Sequence, residues 1–361
     1  MPRRKHARTK NRTVVAVAAA MFLCAASFCP TLPAQTPPAV PPSTPQFKDF
    51  VDEAGRTVRV PQPVQRIVSL APSLTETIYA LGLQDRLVGD TDYCDFPPDA
   101  QKKPKVGGIL NPSLEEIVAL RPDLVLVTQV NRLETLHALE GLGIPSYATD
   151  PHTVQEIVSS TERLATVLGA PEAGASLAAD LESQLADLHQ RLSGSVPRRV
   201  LFIVWPDPLI SVGKDTFIAD ALRLAGADSI VDSSQEWPQM SLEEVVRLQP
   251  DFLVFAESHS DSAQSDFDVL AARPGWRGLD AVRNRRFAVI SDAVNRPAPR
   301  IVSAIEDLAR QLHPEAFSPP PDDKKPQKDL PPAQPRDFSR SVSVRSPNRD
   351  FAFLEACACA R

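Results

Sequence analysis

SLEEIVALRPDLVLVTQ (residues 113–129) and SLEEVVRLQPDFLVFAE (residues 241–257) are two versions of one phrase, 128 residues apart and identical at eight of seventeen positions. Each reads as a helix opened by a serine cap, stopped at a Pro-Asp pair, and followed by a short apolar strand. Serine with glutamate three residues on is a helix-start signature, met by Ser113/Glu116 and Ser241/Glu244. Pro122 and Pro250 end the helices because proline lacks an N–H and restricts the residue before it. Capping chemistry does not require Glu115 and Glu243, one residue into each helix. Two uses for them stay open: they favour the positive helix end, or they form a matched acidic pair offered to a two-fold symmetric partner.

Outward from the first phrase, strand and helix patterns alternate. Residues 66–71 read as a strand, 73–83 as a helix capped Ser73 to Glu76, 87–92 as a strand, 132–142 as a helix and 144–148 as a strand. The pattern predicts a parallel sheet with helices on its faces. A hairpin turning at Gly55 precedes it, over 47–60. Residues 154–168 and 172–192 carry only helical periodicity, with Leu177, Leu181, Leu185, Leu188 and Leu192 on one stripe, and predict a long helix bridging two lobes. Alternation restarts at 199–204 and runs through the second phrase to a strand at 286–291 and a closing helix at 299–312. The fold class expected is therefore α/β: two lobes, each with a central parallel sheet flanked by helices, joined by a single long backbone helix. The expected divisions are a signal peptide over 1–34, a Pro-rich linker over 35–47, an N-terminal lobe over 48–153, a connecting helical segment over 154–194, a C-terminal lobe over 195–314 and a disordered Pro-rich tail over 315–361.

A chain of 361 residues exceeds the usual size of one core. A net charge of -6 excludes a basic nucleic-acid face. Six basic residues before position 13, then the apolar run TVVAVAAAMFLCAASF (13–28), read as an export signal too short for an ordinary membrane span. Cleavage after Ala34 fits; Cys24 and Cys29 are poor lipidation sites, since Leu23 and Phe28 are bulky, and an uncleaved anchor is the alternative. Either way the body is placed outside the cytoplasm. Of five cysteines only Cys94 lies in the body, so no disulfide framework or cysteine metal site is expected.

The ordered segments RIVSLAPSLTETIYALGL (66–83), LVGDTDYCDFPPDAQ (87–101), GGILNPSLEEIVALRPDLVLV (107–127), VGKDTFIADALRLAGADSIV (212–231), EWPQMSLEEVVRLQPD (236–251) and NRPAPRIVSAIEDLARQL (295–312) together resemble the cobalamin- and iron-chelate-binding proteins of ABC importers. The resemblance covers about 48–312. It implies an extracytoplasmic solute-binding protein, a monomer of two lobes that move little, handing a cobalamin, another corrinoid, haem or a ferric siderophore to a dimeric permease with ATPase subunits. It implies that Glu115 and Glu243 dock into arginine pockets of that permease. It places Tyr93, Trp205, Trp237, Asp292 and Arg296 at the ligand cleft, as aromatic walls and polar contacts. Where cobalamin binders of this type carry further tryptophans, this chain has Gly108-Ile109 and Thr128-Gln129, which leaves room for a ligand other than cobalamin. Each cleft residue has a plainer use: Trp205 and Trp237 as core, Tyr93 at a lobe edge, Asp292 and Arg296 as a salt bridge.

Two other classes fit less well. A free-metal binder needs several ligands converging on one point, whereas His137, His152, His189, His259 and His313 are scattered. An enzyme is not expected: the sequence has no G-x-S-x-G, H-E-x-x-H or P-loop, no resident cofactor is called for, and neighbouring Glu115 and Glu116 point apart on a helix.

Overall fold

The computed structural model describes residues 46–131, 133–256 and 263–318. The signal, most of the linker, nearly all of the tail, His259 and the four cysteines other than Cys94 lie outside the described residues. The chain opens with an antiparallel hairpin, Gln46–Val51 (β1) and Thr57–Gln62 (β2), turning through Gly55. Then follow Ile67–Ser69 (β3), Pro72–Ala80 (α1), Leu87–Asp90 (β4), Leu114–Ala119 (α2), Leu124–Thr128 (β5), Leu133–Gly141 (α3) and Ser146–Thr149 (β6). Val154–Val167 (α4) and Pro171–Leu192 (α5) form the connecting segment. The second half runs Arg198–Ile203 (β7), Trp205–Pro206 (β8), Leu209–Ile210 (β9), Phe217–Leu224 (α6), Ala227–Ser229 (β10), Leu242–Leu248 (α7), Phe252–Ala256 (β11), Ala263–Ala272 (α8), Asp280–Arg283 (α9), Phe287–Ile290 (β12) and Ile301–Leu312 (α10).

Each half holds one four-stranded sheet with parallel pairings, ordered β4-β3-β5-β6 in the first and β10-β7-β11-β12 in the second. Numbered within its own lobe, each order is 2-1-3-4, so the two lobes share a topology as well as a phrase. Helices cover both faces, so the strands are buried on both sides and read as nearly continuous apolar runs. Alternate residues of β5 therefore enter different layers. Leu124 and Leu126 pack with α1, α4 and β2, while Val125 and Val127 pack with α2 and α3. In the second lobe Val200 and Phe202 of β7 face α5, α6 and α10, and Leu201 and Ile203 face α7 to α9.

The joining helix is anchored at both ends. Val154, Ile157 and Val158 of α4 belong to the second lobe's core, and Leu164, Ala165 and Val167 to the first lobe's. Fourteen residues at 1.5 Å each hold these ends about 20 Å apart. Helix α5 doubles back along α4: Gln155 bonds to Glu182 at 3.1 Å, and a β-carbon on Gly174 would stand 2.4 Å from that of Ala165. Both lobes belong to one compact unit.

The repeated phrase has an internal use at nearly every shared position. Ser113 and Ser241 each accept the backbone N–H three residues on, at 3.2 Å. Arg121 and Gln249 take the left-handed conformation (φ 45° and 46°) that stops each helix. The Asp123 carboxylate accepts the N–H groups of Gln65 and Arg66, both at 2.8 Å, and Asp251 accepts that of Arg199 at 2.9 Å. The Pro-Asp pair thus ties strand three of each lobe to the start of strand one. Glu115 and Glu243 remain: both are exposed and neither makes an ion pair among the described residues.

Some expectations need correcting. Helix α1 begins at Pro72 with Ala71 as its unassisted cap, not at Ser73, because proline at the first helical position supplies the start. Glu76 therefore caps nothing; it is buried for another reason. The strand expected over 144–148 lies two residues later at its start. The β8–β9 hairpin and β10, only two or three residues long, carry no periodic signal. The ordered chain also passes the expected boundary at 314: Pro314–Phe317 forms a 3-10 turn whose Phe317 ring takes the Arg310 guanidinium at 4.6 Å.

Candidate functional site

In sheets of this order, ligands bind beyond the carboxyl ends of the strands, where the connections from strand one diverge. In the first lobe that point lies between β3 and β5. Asn131 locks it: its Oδ1 accepts the Thr128 N–H at 2.8 Å, and its Nδ2 donates to the Leu70 and Ile109 carbonyls at 3.2 and 2.8 Å. Nothing marks this role in the sequence beyond an asparagine after a strand.

The loop after β4 carries Tyr93, Asp95 and Phe96, and one side chain organises it. Lys105 Nζ donates to Asp90 Oδ1 at 2.8 Å and to the carbonyls of Thr91, Cys94 and Ala100 at 3.2, 3.1 and 3.2 Å. Cys94 is buried under the loop, its sulfur 3.2 Å from the hydroxyls of Thr75 and Thr91, and burial pushes its thiol pKa up. Tyr93 is half-buried against Gly108; a β-carbon there would stand 3.8 Å from Tyr93 Cε2. A larger side chain at 108 would press on the ring.

Asp90 is wholly buried, with Oδ2 unpartnered among the described residues. Burial pushes its carboxyl up to about 6, against the hydrogen bond and charge of Lys105. A folded-state value raised above an unfolded 3.8 gives stability that is complete below 3.8 and lost as pH rises through 6. Two units correspond to about 3 kcal/mol. The stability difference between wild type and Asp90→Asn, from denaturant titrations, is therefore expected to shift towards wild type by about that amount between pH 7 and pH 4. A flat difference would contradict the assignment.

In the second lobe, Trp205 sits on the β8–β9 hairpin beyond β7, and its Nε1 donates to the Asp207 carbonyl at 2.9 Å. With Val204, Phe255, Leu270 and Arg273 it lines a cavity of about 170 Å³ at the ends of β7 and β11. That is the equivalent divergence point in this lobe. Trp237 packs partly on the second lobe's core. Its loop is pinned by Ser211 N–H to Pro238 O and Gly213 N–H to Glu236 O, both 3.0 Å. Gly213 is obligatory here, since a β-carbon would stand 1.9 Å from the Gln235 carbonyl oxygen.

Asp292 and Arg296 are drawn into a network that crosses between the lobes. Glu76 Oε1 lies 2.7 Å from Arg296, and Glu76 also holds Arg300 through two bonds of 3.0 Å. Arg296 reaches Asp95 at 2.8 Å and Asp292 at 3.6 Å, and Arg300 reaches Asp292 at 2.9 Å. The Arg300 guanidinium lies 4.0 Å from the centre of the Phe96 ring. Glu76 is 3% exposed, and the arginines 16% and 22%. Burial works against charge on both arginines, yet hydrogen bonds and attraction from Glu76, with Asp95 at Arg296 and Asp292 at Arg300, hold their pKa values above the ordinary range. Sequence reading reached Asp292 and Arg296 but not Glu76, Asp95 or Arg300, whose partners lie up to 224 residues away. Among the described residues no group of three or more His, Cys, Asp or Glu is placed to hold a metal ion.

Residues 67–294 match the model of the periplasmic binding protein family. The uncharacterized ABC transporter substrate-binding lipoprotein YvrC of Bacillus subtilis (strain 168) is 31% identical over 275 residues, 74% of this chain and 85% of that one. The crystal structure of the periplasmic vitamin B12 binding protein BtuF of Vibrio cholerae is 30% identical with a TM-score of 0.61, covering 71% of this chain and 99% of that one. The periplasmic heme-binding protein RhuT from Roseiflexus sp. RS-1, in apo form, is 28% identical with a TM-score of 0.61, covering 70% and 99%. Two lobes of one topology, a helix anchored in both cores and a matching family model over most of the ordered body lead to one conclusion: this chain belongs to the periplasmic binding protein family.

Proposed function

We propose that the chain is the extracytoplasmic solute-binding component of an ABC importer, and that it captures cobalamin or a related corrinoid in the cleft between its lobes. The observation that carries this reading is the placement of half-buried aromatic rings at the carboxyl ends of both sheets: Tyr93 after β4, Trp205 after β7 and Trp237 before α7. Rings on proline-stiffened loops offer large flat contact area with little rotamer entropy to lose. Likeness to a vitamin B12-binding protein supports the corrinoid. The second reading, haem or a ferric siderophore in the same cleft, is favoured by likeness to a haem-binding protein and by Gly108 and Thr128 at two wall positions. In either reading the protein binds and releases its solute without chemistry. Export by the N-terminal signal, a monomeric body, and docking of Glu115 and Glu243 on a dimeric permease complete the proposal.

Titration calorimetry with cyanocobalamin, hemin and a ferric siderophore separates the readings. Cyanocobalamin is expected to bind most tightly. Binding of hemin or the siderophore without cyanocobalamin would move the assignment to the second reading.

A further inference from the structure

Residues 91–100 leave β4, carry Tyr93 and Asp95, and enter a 3-10 turn at Pro98. Their bonds to one another along the backbone are local: the Cys94 N–H donates to the Thr91 carbonyl at 3.1 Å and the Ala100 N–H to the Pro97 carbonyl at 2.8 Å. Lys105 Nζ gathers the two ends of the loop, through Asp90 Oδ1 at 2.8 Å and the carbonyls of Thr91, Cys94 and Ala100 at 3.2, 3.1 and 3.2 Å. The backbone around the same lysine builds the other side of the seat on which Tyr93 lies. The Asp90 N–H donates to the Pro104 carbonyl at 3.0 Å, the Val106 N–H to the Asp90 carbonyl at 2.9 Å and the Asp92 N–H to the Gly107 carbonyl at 3.0 Å. The segment 104–107 therefore runs beside 90–92 and delivers Gly108 to the face of the Tyr93 ring. From the same loop Asp95 reaches Arg296 of the other lobe at 2.8 Å.

This set of acceptors calls for a cation. The Asp90 carboxylate is wholly buried, and three carbonyl oxygens converge on the point where its Oδ1 is bonded. Without the ammonium, a desolvated carboxylate and three dipoles would turn their negative ends on one another. The loop relieves that conflict by opening towards water. A solute that binds to an open loop has to order it first, and its affinity falls by the free energy of that ordering. We propose that Lys105 is a positioning residue: without touching the solute, its ammonium pre-orders residues 91–100 so that Tyr93 stands ready as a wall of the cleft. The inference rests on the reading that a macrocycle binds between the lobes, and it deepens that reading by naming the group that sets the aromatic wall. A purely stabilising Lys105–Asp90 pair would affect the melting temperature and leave the affinity of the folded protein alone.

The test is calorimetry on the full-length chain with cyanocobalamin, or with hemin where cyanocobalamin does not bind, at a temperature where melting curves show the variants folded. Lys105→Met keeps the stem and removes the charge, and it is expected to weaken binding by about tenfold or more. In a Tyr93→Ala background the same substitution is expected to cost about threefold or less, because the residue it positions is gone. Lys105→Ala removes the atoms of one n-propylammonium ion. Added n-propylammonium is expected to restore its affinity, and 1-propanol, of similar size without the charge, is not. The comparison with Tyr93→Ala runs with either lysine variant, so one that fails to fold leaves the other to decide. Unchanged affinity in a folded lysine variant, or an equal loss with and without Tyr93, overturns the positioning role and leaves the macrocycle reading standing. Recovery of Lys105→Ala with both additives, or with neither, overturns the role as well. Wild-type affinity in Tyr93→Ala alone removes Tyr93 from the wall and the role of Lys105 with it. Binding of neither macrocycle by the wild type overturns both the reading and the inference.

Discussion

Replacing Glu115 and Glu243 together with alanine is expected to leave solute affinity within about twofold and to cut transport into permease-containing vesicles at least tenfold. Within the repeated phrase the serine caps its helix, the residue before proline takes the left-handed turn, and the aspartate ties strand three to strand one. The two glutamates are exposed, reach no partner among the described residues, and occur once per lobe at the same step of the same topology. Their local worth, about 0.3–1 kcal/mol each at the positive helix end, would be met by any acidic residue in the first turn, which Glu116 and Glu244 already supply. A two-fold symmetric permease asks for one contact from each lobe. Exposed ion pairs are weak, but truncating one member of a charge pair buried at an interface costs about 2–5 kcal/mol, ample for a tenfold loss. Calorimetry and uptake assays measure the two quantities separately. A parallel fall in affinity, or undiminished transport, would remove docking as the reason for the pair.

The largest stability effect is expected at Arg296. Arg296→Met removes one of two guanidiniums that neutralise the buried Glu76, along with the cross-lobe pair to Asp95. Breaking a buried ion pair by deleting one partner costs about 3–5 kcal/mol, because the remaining charge stays desolvated. Arg300 still holds Glu76, which puts the expected loss near 3 kcal/mol and lowers the melting temperature by about 10 °C for a body of this size. Arg296→Met and Arg300→Met together should cost more than the sum of the single losses, since both serve one carboxylate. Denaturant titration decides the matter. A loss below 1 kcal/mol would mean that water screens the network and that the lobes are held by α4 and α5 alone.

Most of the architecture could be read from the chain because the strands are buried on both faces and the helices on one. Period and apolar runs therefore carry the assignment at β5, β7, β11 and α4. The same physics hides the rest. Strands of two or three residues such as β8, β9 and β10 have no period to detect. At α1 a serine–glutamate spacing mimicked a cap, while Pro72 had already begun the helix and left Glu76 free to turn towards the other lobe. The candidate aromatic residues were legible as loop residues near prolines. Lys105, Asn131 and Arg300 were not, because each acts through carbonyls or charges that only the folded chain brings near. The near-symmetry of the lobes was legible from the repeated phrase alone, and the shared strand order gives it a physical cause.

In the proposed function one solute is gripped by both lobes at once. Hydrogen exchange with and without saturating cyanocobalamin, or the macrocycle that calorimetry selects, tests it most directly. Slowed exchange is expected together at 91–96 in the first lobe and at 235–240 in the second, with the amides of α2 and α7 unchanged. Protection confined to one lobe, or absent from both loops while the solute is bound, would contradict it.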